Sequence, residues 1–174
     1  FYPGQEAGKA IADVLFGNYN PSGKLPATMP KDDAQIIPIS PDFRNMVTQG
    51  VGYKWYDSQK FTPQFAFGSG ISYTTFKYSD LQILNKKPKV GDVVEIKFKL
   101  NNTGQRAGEE VAQLYLSTGN NMPNINMPSK QLRAFEKTYL NPGETKTITF
   151  KLTPEDLYIY NEKTKSYQVP EGEF

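Results

Sequence analysis

The chain has 174 residues, of which 37% are hydrophobic and 22% charged, proportions that are ordinary for a soluble globular protein. Its formal net charge of +2 is too small to indicate a nucleic-acid or membrane partner, and acidic and basic residues alternate along the predicted strands. Because the chain has no cysteine and no histidine, disulfides, thiolate zinc sites, a cysteine nucleophile and the Ser-His-Asp triad are excluded. Oxygen chemistry through Asp, Glu or Tyr remains open.

The two ends of the sequence predict a piece of a longer protein. No apolar run approaches the roughly 18 residues that a membrane-spanning helix needs. No signal peptide or initiator Met is present, and both FYPGQEAG at the start and PEGEF at the end are typical of internal sequence.

The first predicted elements are a helix and a short strand. Apolar residues at positions 7, 10, 11, 14 and 15 have the spacing of one buried helix face, which predicts a helix from Gln5 to Phe16 that Gly17 ends. After the turn NYNPSG, residues 24–30 (KLPATMP) are bounded by prolines and predict a terminal or edge strand. One helix-strand unit cannot bury its own apolar face, so we expect its partners elsewhere in the protein.

A second alternating stretch and an aromatic segment follow. Residues 51–58 (VGYKWYDS) alternate like a strand and contain the only Trp. This alternation would place Tyr53, Trp55 and Asp57 on one side. Residues 61–75 are too apolar for a flexible linker, and we expect them to pack against the units on both sides.

From Phe76 onward the sequence is almost purely β. Residues 94–101, 109–117, 131–140 and 144–152 alternate between apolar and polar side chains, with turn residues between the runs. The short stretches LYIYN and SYQVP follow around the turn EKTK, and GEF is expected to begin the last strand. This pattern predicts a seven-stranded β-sandwich of fibronectin III or immunoglobulin type with a truncated last strand. Its predicted core is Leu81, Ile83, Val94, Ile96, Phe98, Leu100, Leu114, Leu116, Ile148, Phe150 and Leu152.

Several motifs together resemble the family 3 glycoside hydrolases. The run PGQEAGKAIADVLFGNYNPSGKLPATMP resembles the end of that family's α/β sandwich domain. VGYKWYD and FAFGSGISYTTFKYSDLQI resemble its approach to a C-terminal fibronectin III-like domain, and NNTGQRAGEEVAQLYLS and KQLRAFEKTYLNPGETKTITFKL are similar to that domain's middle strands. The similarity covers essentially the whole chain in the family's order and is strongest to bacterial, often periplasmic, β-glucosidases.

This resemblance implies a domain organisation. Residues 1–60 would be the C-terminal end of the α/β domain, residues 61–75 a packed interdomain linker, and residues 76–174 the fibronectin III-like domain. The fold is therefore expected to be mostly β, preceded by a terminal helix-strand piece of an α/β sandwich domain.

The resemblance also implies an activity for the parent protein. Family members are retaining exo-glycosidases, in which one carboxylate attacks the anomeric carbon and a second carboxyl group protonates the leaving oxygen. In the family these groups lie in an N-terminal barrel and earlier in the α/β domain, so we assign no catalytic residue here and expect the isolated chain to be inactive. The implied parent is a β-glucosidase that releases terminal β-D-glucose.

Partners and location follow from the same resemblance. The implied substrate is an oligosaccharide or aryl β-glucoside, bound through catalytic domains outside this chain. No cofactor, metal, nucleic acid or membrane is expected. A periplasmic or secreted location is implied, and a homodimer is allowed.

Two groups of residues are candidates for a site. Trp55 and Tyr56 are the candidate substrate-binding residues, because aromatic faces stack on sugar rings. The alternative is an aromatic cluster that locks the α/β unit to the sandwich. Glu6 is either a catalytic or sugar-binding acid or a structural acid favoured by the helix dipole, and Asp13 is interpreted as structural.

The loop at residues 120–130 (NNMPNINMPSK) either reaches toward a neighbouring domain or subunit or is a solvated connection. A different class of function, a stand-alone fibronectin III-like binding or adhesion module, also remains open. Residues 1–30 discriminate the two functions, because an isolated sandwich has no use for an amphipathic helix and strand unrelated to its sheets.

Overall fold

The computed structural model describes residues 4–38, 50–118, 128–161 and 163–174, and these ranges contain two α-helices and seven β-strands. Most of the loop predicted at residues 120–130 lies outside the described residues. In chain order the elements are α1 (Ala7–Leu15), α2 (Tyr53–Gln59), β1 (Phe76–Ile83), β2 (Val94–Asn102), β3 (Gly108–Leu116), β4 (Gln131–Leu140), β5 (Thr145–Leu152), β6 (Ile159–Asn161) and β7 (Ser166–Gln168), with 3₁₀ turns at Asp33–Gln35 and Pro154–Leu157.

The strands from β1 to β5 form a two-layered β-sandwich, as predicted. One antiparallel sheet has the order β1-β2-β5, and the second sheet pairs β3 with β4. Alternate residues of β2 and β5 point into the space between the sheets, where Ile96 lies opposite Phe150 and Phe98 opposite Ile148. Leu140 of β4 and Ala112 of β3 close the core from the other side and are fully buried.

Most of the predicted core is confirmed. Six predicted residues on β2 and β5 are buried, and Val94, Leu114 and Leu116 pack against them while remaining partly exposed. The buried six are Ile96, Phe98, Leu100, Ile148, Phe150 and Leu152.

The prediction is wrong for Leu81 and Ile83 of β1, which are 69% and 42% exposed. The pairing of β1 with β2 shifts between Ser79 and Gln82, where Asp80 has a positive φ of 55°. Such a bulge inserts an unpaired residue and disturbs the alternation that a sequence pattern assumes. Leu81 and Ile83 both line an open groove of about 1,000 Å³ at the edge of the sandwich.

The last strands form a separate hairpin. β6 and β7 pair with each other, and the cross-strand rings of Tyr160 and Tyr167 lie 5.3 Å apart. The sequence predicted both strands. The prediction that GEF begins a further strand is wrong, because residues 172–174 have no strand conformation.

The helix α1 forms where it was predicted; Phe16 caps its C-terminus, and Gly17 follows with a φ of +76°. No residue of α1 is buried within the described chain, and Ile11 and Leu15 are 57% and 74% exposed. This agrees with the expectation that a single helix-strand unit cannot cover its own apolar face. Neither helix in the described ranges has the length and hydropathy to cross a membrane.

Residues 24–30 do not form the predicted strand. The segment is extended and exchanges hydrogen bonds with residues 65–69, including Met29 N to Phe65 O (2.8 Å) and Leu25 N to Ser69 O (2.8 Å), but only Met29 and Phe65 form a β-bridge. Pro26 has no N–H to donate, which interrupts the ladder.

The predicted strand at residues 51–58 is wrong, because this segment folds as α2. Gly52 immediately precedes the helix with a φ of +59°, and Lys60 ends it in the left-handed conformation. In a helix Tyr53 and Tyr56 lie three residues apart and share a face. Over seven residues, an alternating pattern does not separate a strand from a helix.

The expected packing of residues 61–75 is only partly observed. Phe67 is half-buried, but Phe65, Ile71 and Tyr73 remain largely exposed within this chain. Polar contacts hold the segment instead, through Tyr73, Thr74 and the carbonyl of Gly68.

Candidate functional site at the seam

The described residues 4–38 and 50–75, here called the N-terminal segment, pack against one end of the sandwich along a surface that we call the seam. Asn20 is central to it. Its amide nitrogen donates to Ala107 O (3.0 Å), and its oxygen accepts from Ser72 Oγ (3.1 Å) and Tyr73 N (2.8 Å). Gly108 allows this approach, because a Cβ there would lie 2.5 Å from the Asn20 amide nitrogen.

A second asparagine, Asn102 of β2, also connects the N-terminal segment to the sandwich. The Asn102 side chain is fully buried, and its oxygen accepts from Thr74 Oγ1 (2.7 Å) and Gly104 N (3.1 Å). Its nitrogen donates to Arg106 O (2.8 Å) and Leu140 O (3.1 Å). Both side-chain donors and both lone pairs of the side-chain oxygen are used, so the position is strongly specified.

Arg106 and Tyr73 attach the end of α1 to the seam. The Arg106 guanidinium donates to Gly17 O and lies 5.3 Å from the centroid of the Tyr73 ring. The Tyr73 hydroxyl donates to Val14 O (2.7 Å). The carbonyl groups at a helix C-terminus lack partners within the helix, and these contacts supply such partners.

Two adjacent acids on β3 extend the seam. Glu110 binds Lys24 Nζ at 2.9 Å and accepts from the Tyr78 hydroxyl at 2.9 Å. Burial and the neighbouring Glu110 carboxylate raise the pKa of Tyr78 well above its usual range, so this hydroxyl stays protonated. On the other side of the strand, Glu109 accepts from Ser22 Oγ (3.2 Å) and binds Lys137 (2.6 Å).

An open cleft of about 540 Å³, the seam cleft, lies between α2, residues 61–69 and β3. Tyr53 stacks on Phe67 with ring centroids 4.6 Å apart and meets Tyr115 edge-on at 6.1 Å. The Tyr53 hydroxyl accepts from Leu132 N (2.9 Å), which fixes α2 to β4. The cleft is lined by these rings and by polar side chains that include Lys24, Asp57, Glu110, Gln113 and Lys130.

The two predicted substrate-binding residues have different surroundings. Tyr56 is only 7% exposed, lines the cleft wall and meets Phe61 edge-on at 6.1 Å. Trp55 points to the 3₁₀ turn instead, where its indole N–H donates to Gln35 O (3.3 Å). Sugar binding by Trp55 and Tyr56 stays a prediction.

Three acidic residues, Asp13, Glu109 and Glu144, are stabilised in the charged form by neighbouring donors. Glu6 immediately precedes α1 without capping it, and Asp13 binds Lys9 at 2.5 Å, which lowers the pKa of Asp13. A hydrogen bond from Lys137 lowers the pKa of Glu109, and one from the Asn141 backbone lowers that of Glu144. A general acid of glycoside hydrolysis needs a raised pKa, the opposite of these shifts.

No group of three or more carboxylates is close enough to hold a metal ion within the part of the chain that the structure describes.

Sequence reasoning missed Tyr115, Gln113 and Glu110 as cleft residues. Alternation along β3 places Gln113 and Tyr115 on the face opposite Leu114, but the alternation alone does not reveal what covers that face. Gly68 is the sequence signal for a close approach between its loop and another element. In the structure that element is β3, because a side chain at residue 68 would collide with Gln113 and Tyr115.

Family models match both parts of the chain. Residues 1–73 match the glycosyl hydrolase family 3 C-terminal domain, and residues 110–174 match the fibronectin type III-like domain. The match on residues 1–73 supports the glycosidase interpretation over a stand-alone module.

Comparison with individual proteins supports the same family. The chain is 40% identical to thermostable β-glucosidase B of Acetivibrio thermocellus over 98% of this chain and 23% of that protein. It is 38% identical to the periplasmic β-glucosidase of Salmonella typhimurium over 100% of this chain and 23% of that protein. The crystal structure of β-D-glucoside glucohydrolase from Trichoderma reesei superposes with a TM-score of 0.83 at 34% identity, covering 98% of this chain and 26% of that one.

The chain thus spans about a quarter of the length of these relatives. It belongs to the family 3 glycoside hydrolases, of which it carries the C-terminal region.

Proposed function

We propose that the protein containing this chain is a retaining, exo-acting β-glucosidase that releases terminal β-D-glucose from oligosaccharides or aryl β-glucosides. The observation that carries the proposal is the similarity to β-glucosidases along nearly the whole chain, at 40% identity to the Acetivibrio thermocellus enzyme. Catalysis itself would belong to domains outside this chain.

The role proposed for the chain is to brace those domains. The hydrogen bonds around Asn20 and Asn102 support it, because they connect the N-terminal segment to the sandwich through directional contacts. Hydrogen bonds fix an orientation more narrowly than apolar contact alone. We propose the boundaries 1–60, 61–75 and 76–174 for the end of the α/β domain, the linker and the fibronectin III-like domain.

An activity assay tests the function. The full-length protein is expected to hydrolyse an aryl β-glucoside and to release glucose initially as the β-anomer, which NMR detects directly. The isolated 174-residue chain is expected to be inactive in the same assay. Initial release of the α-anomer would overturn the retaining mechanism, and turnover by the isolated chain would overturn the bracing role.

We also propose a cellular location and an assembly state for the full-length protein. A periplasmic or secreted protein fits the similarity to the periplasmic Salmonella typhimurium enzyme. Fractionation of the source cells tests this location. Homodimer formation is a separate prediction, which sedimentation of the full-length protein tests.

A further inference from the structure

The seam closes tightly around Asn20 and Asn102 but stays open between α2 and β3. We propose that the seam cleft binds a neutral pyranose sugar. The proposal rests on the proposed function for the class of ligand, and on the geometry of the cleft for the existence of a site.

The first observation is the open space. Elsewhere along the seam the two parts approach so closely that a Cβ on Gly108 would meet the Asn20 amide at 2.5 Å. Protein interiors are close-packed, and a surface with only a mechanical role is expected to be filled in the same way. The cleft instead leaves about 540 Å³, within the roughly 300–1,000 Å³ that small-molecule sites occupy.

The second observation is an aromatic wall whose rings are already held in place. Tyr53 is fixed by its stacking on Phe67 and by the hydrogen bond that its hydroxyl accepts from Leu132 N. The Tyr115 hydroxyl donates to Gln113 Oε1 at 2.7 Å, and Gln113 donates to Gly68 O at 2.9 Å. A wall that is ordered before binding loses little conformational entropy when a ligand arrives. Aromatic rings of this kind suit the C–H face of a pyranose.

The third observation is that the charges around the cleft come in pairs of opposite sign. Lys24 and Glu110 are 2.9 Å apart with side chains 19% and 13% exposed, and Lys130 lies 3.4 Å from Asp57. A phosphate or carboxylate ligand would meet an acid beside every base. An uncharged polyol, in contrast, can donate to the carboxylates and accept from the ammonium groups at the same time. The pairing therefore favours a neutral sugar over an anion.

The test is a calorimetric titration of the full-length protein with sulfur-linked cellobiose, a disaccharide that a glycosidase does not cleave. We expect two classes of site in the native protein, of which Tyr115→Ala weakens one at least tenfold. Lys130→Ala, at an exposed position where folding is not at risk, is expected to weaken the same class about threefold. Tyr167→Ala removes an exposed tyrosine on the β6–β7 hairpin that does not line the cleft, and serves as the matched control with both classes unchanged.

The outcomes separate this inference from the proposed function. If the native protein hydrolyses an aryl β-glucoside but shows only one class of site, or if neither class responds to Tyr115→Ala and Lys130→Ala, the cleft proposal is wrong and the enzymatic function stands. If hydrolysis is absent but a class of site still depends on Tyr115 and Lys130, the cleft proposal stands and the enzymatic function is wrong. Should Tyr115→Ala fail to fold, Lys130→Ala decides.

Discussion

Asn102 carries the densest set of side-chain hydrogen bonds at the seam. Substitution by Ala would leave the Thr74 hydroxyl and the Leu140 carbonyl without these partners in a buried position, and the Gly104 N–H and the Arg106 carbonyl in a partly buried one. Each orphaned buried group costs about 1–3 kcal/mol, so we expect Asn102→Ala to lower the free energy of unfolding by at least about 3 kcal/mol. Urea unfolding measures this loss, with exposed Asn18→Ala as the control. A loss below about 1 kcal/mol would contradict the role assigned to Asn102.

The Thr28 hydroxyl, in contrast, is buried and has no hydrogen-bond partner among the residues that the structure describes. Valine has nearly the same shape and no polar atom to bury. Thr28→Val is therefore expected to raise the free energy of unfolding by about 1 kcal/mol. The exposed Thr62→Val should leave it unchanged, which controls for intrinsic differences between threonine and valine. A destabilised Thr28→Val protein would mean that the hydroxyl binds a partner.

At the scale of elements, β3 and β4 are tied to each other by a charge pair as well as by their ladder. Lys137 lowers the pKa of Glu109 below its ordinary value of 4.5. A carboxyl group whose pKa is lower in the folded state stabilises the fold above its unfolded pKa and loses that contribution as the pH falls through the folded value. We expect Glu109→Gln to reduce stability at pH 7 and to have a progressively smaller effect below about pH 4.5. Thermal unfolding across pH 3–7 measures it, and a constant difference would refute the assignment.

The strands illustrate what can be predicted from a sequence. Along β2 and β5 the alternation is uninterrupted, so Ile96, Phe98 and Ile148 are predicted and found in the core. Along β1 the bulge at Asp80 breaks the alternation, and the residue types of β1 do not predict that bulge. Residues 51–58 were predicted as a strand because seven or eight residues fit both periods, whereas the observed helix brings Tyr53 into contact with Phe67 and Leu132. The cleft was not predictable, because it depends on contacts between residues far apart in the chain.

For the whole molecule, the exposed face of α1 marks where the chain meets the rest of the protein. Ile11, Leu15 and Phe16 are 57%, 74% and 83% exposed, whereas apolar residues on a helix stripe are ordinarily buried. We infer that the remainder of the α/β domain covers this face in the full-length protein. Burying one such side chain is worth about 1.5–3 kcal/mol, so the contact contributes substantially to stability.

This inference predicts that one substitution has different effects in the full-length protein and in the isolated chain. In the full-length protein, Leu15→Glu is expected to place a carboxylate in a buried contact and to lower the stability of the α/β domain by at least about 2 kcal/mol. In the isolated 174-residue chain the same change is expected to cost little stability and to reduce self-association, because it interrupts an exposed apolar patch. Urea unfolding and analytical sedimentation of both proteins measure the two effects, with Lys9→Ala as the control on the same helix. Equal effects in both settings would show that the face of α1 is exposed in the full-length protein too, and that α1 is not the end of a larger domain.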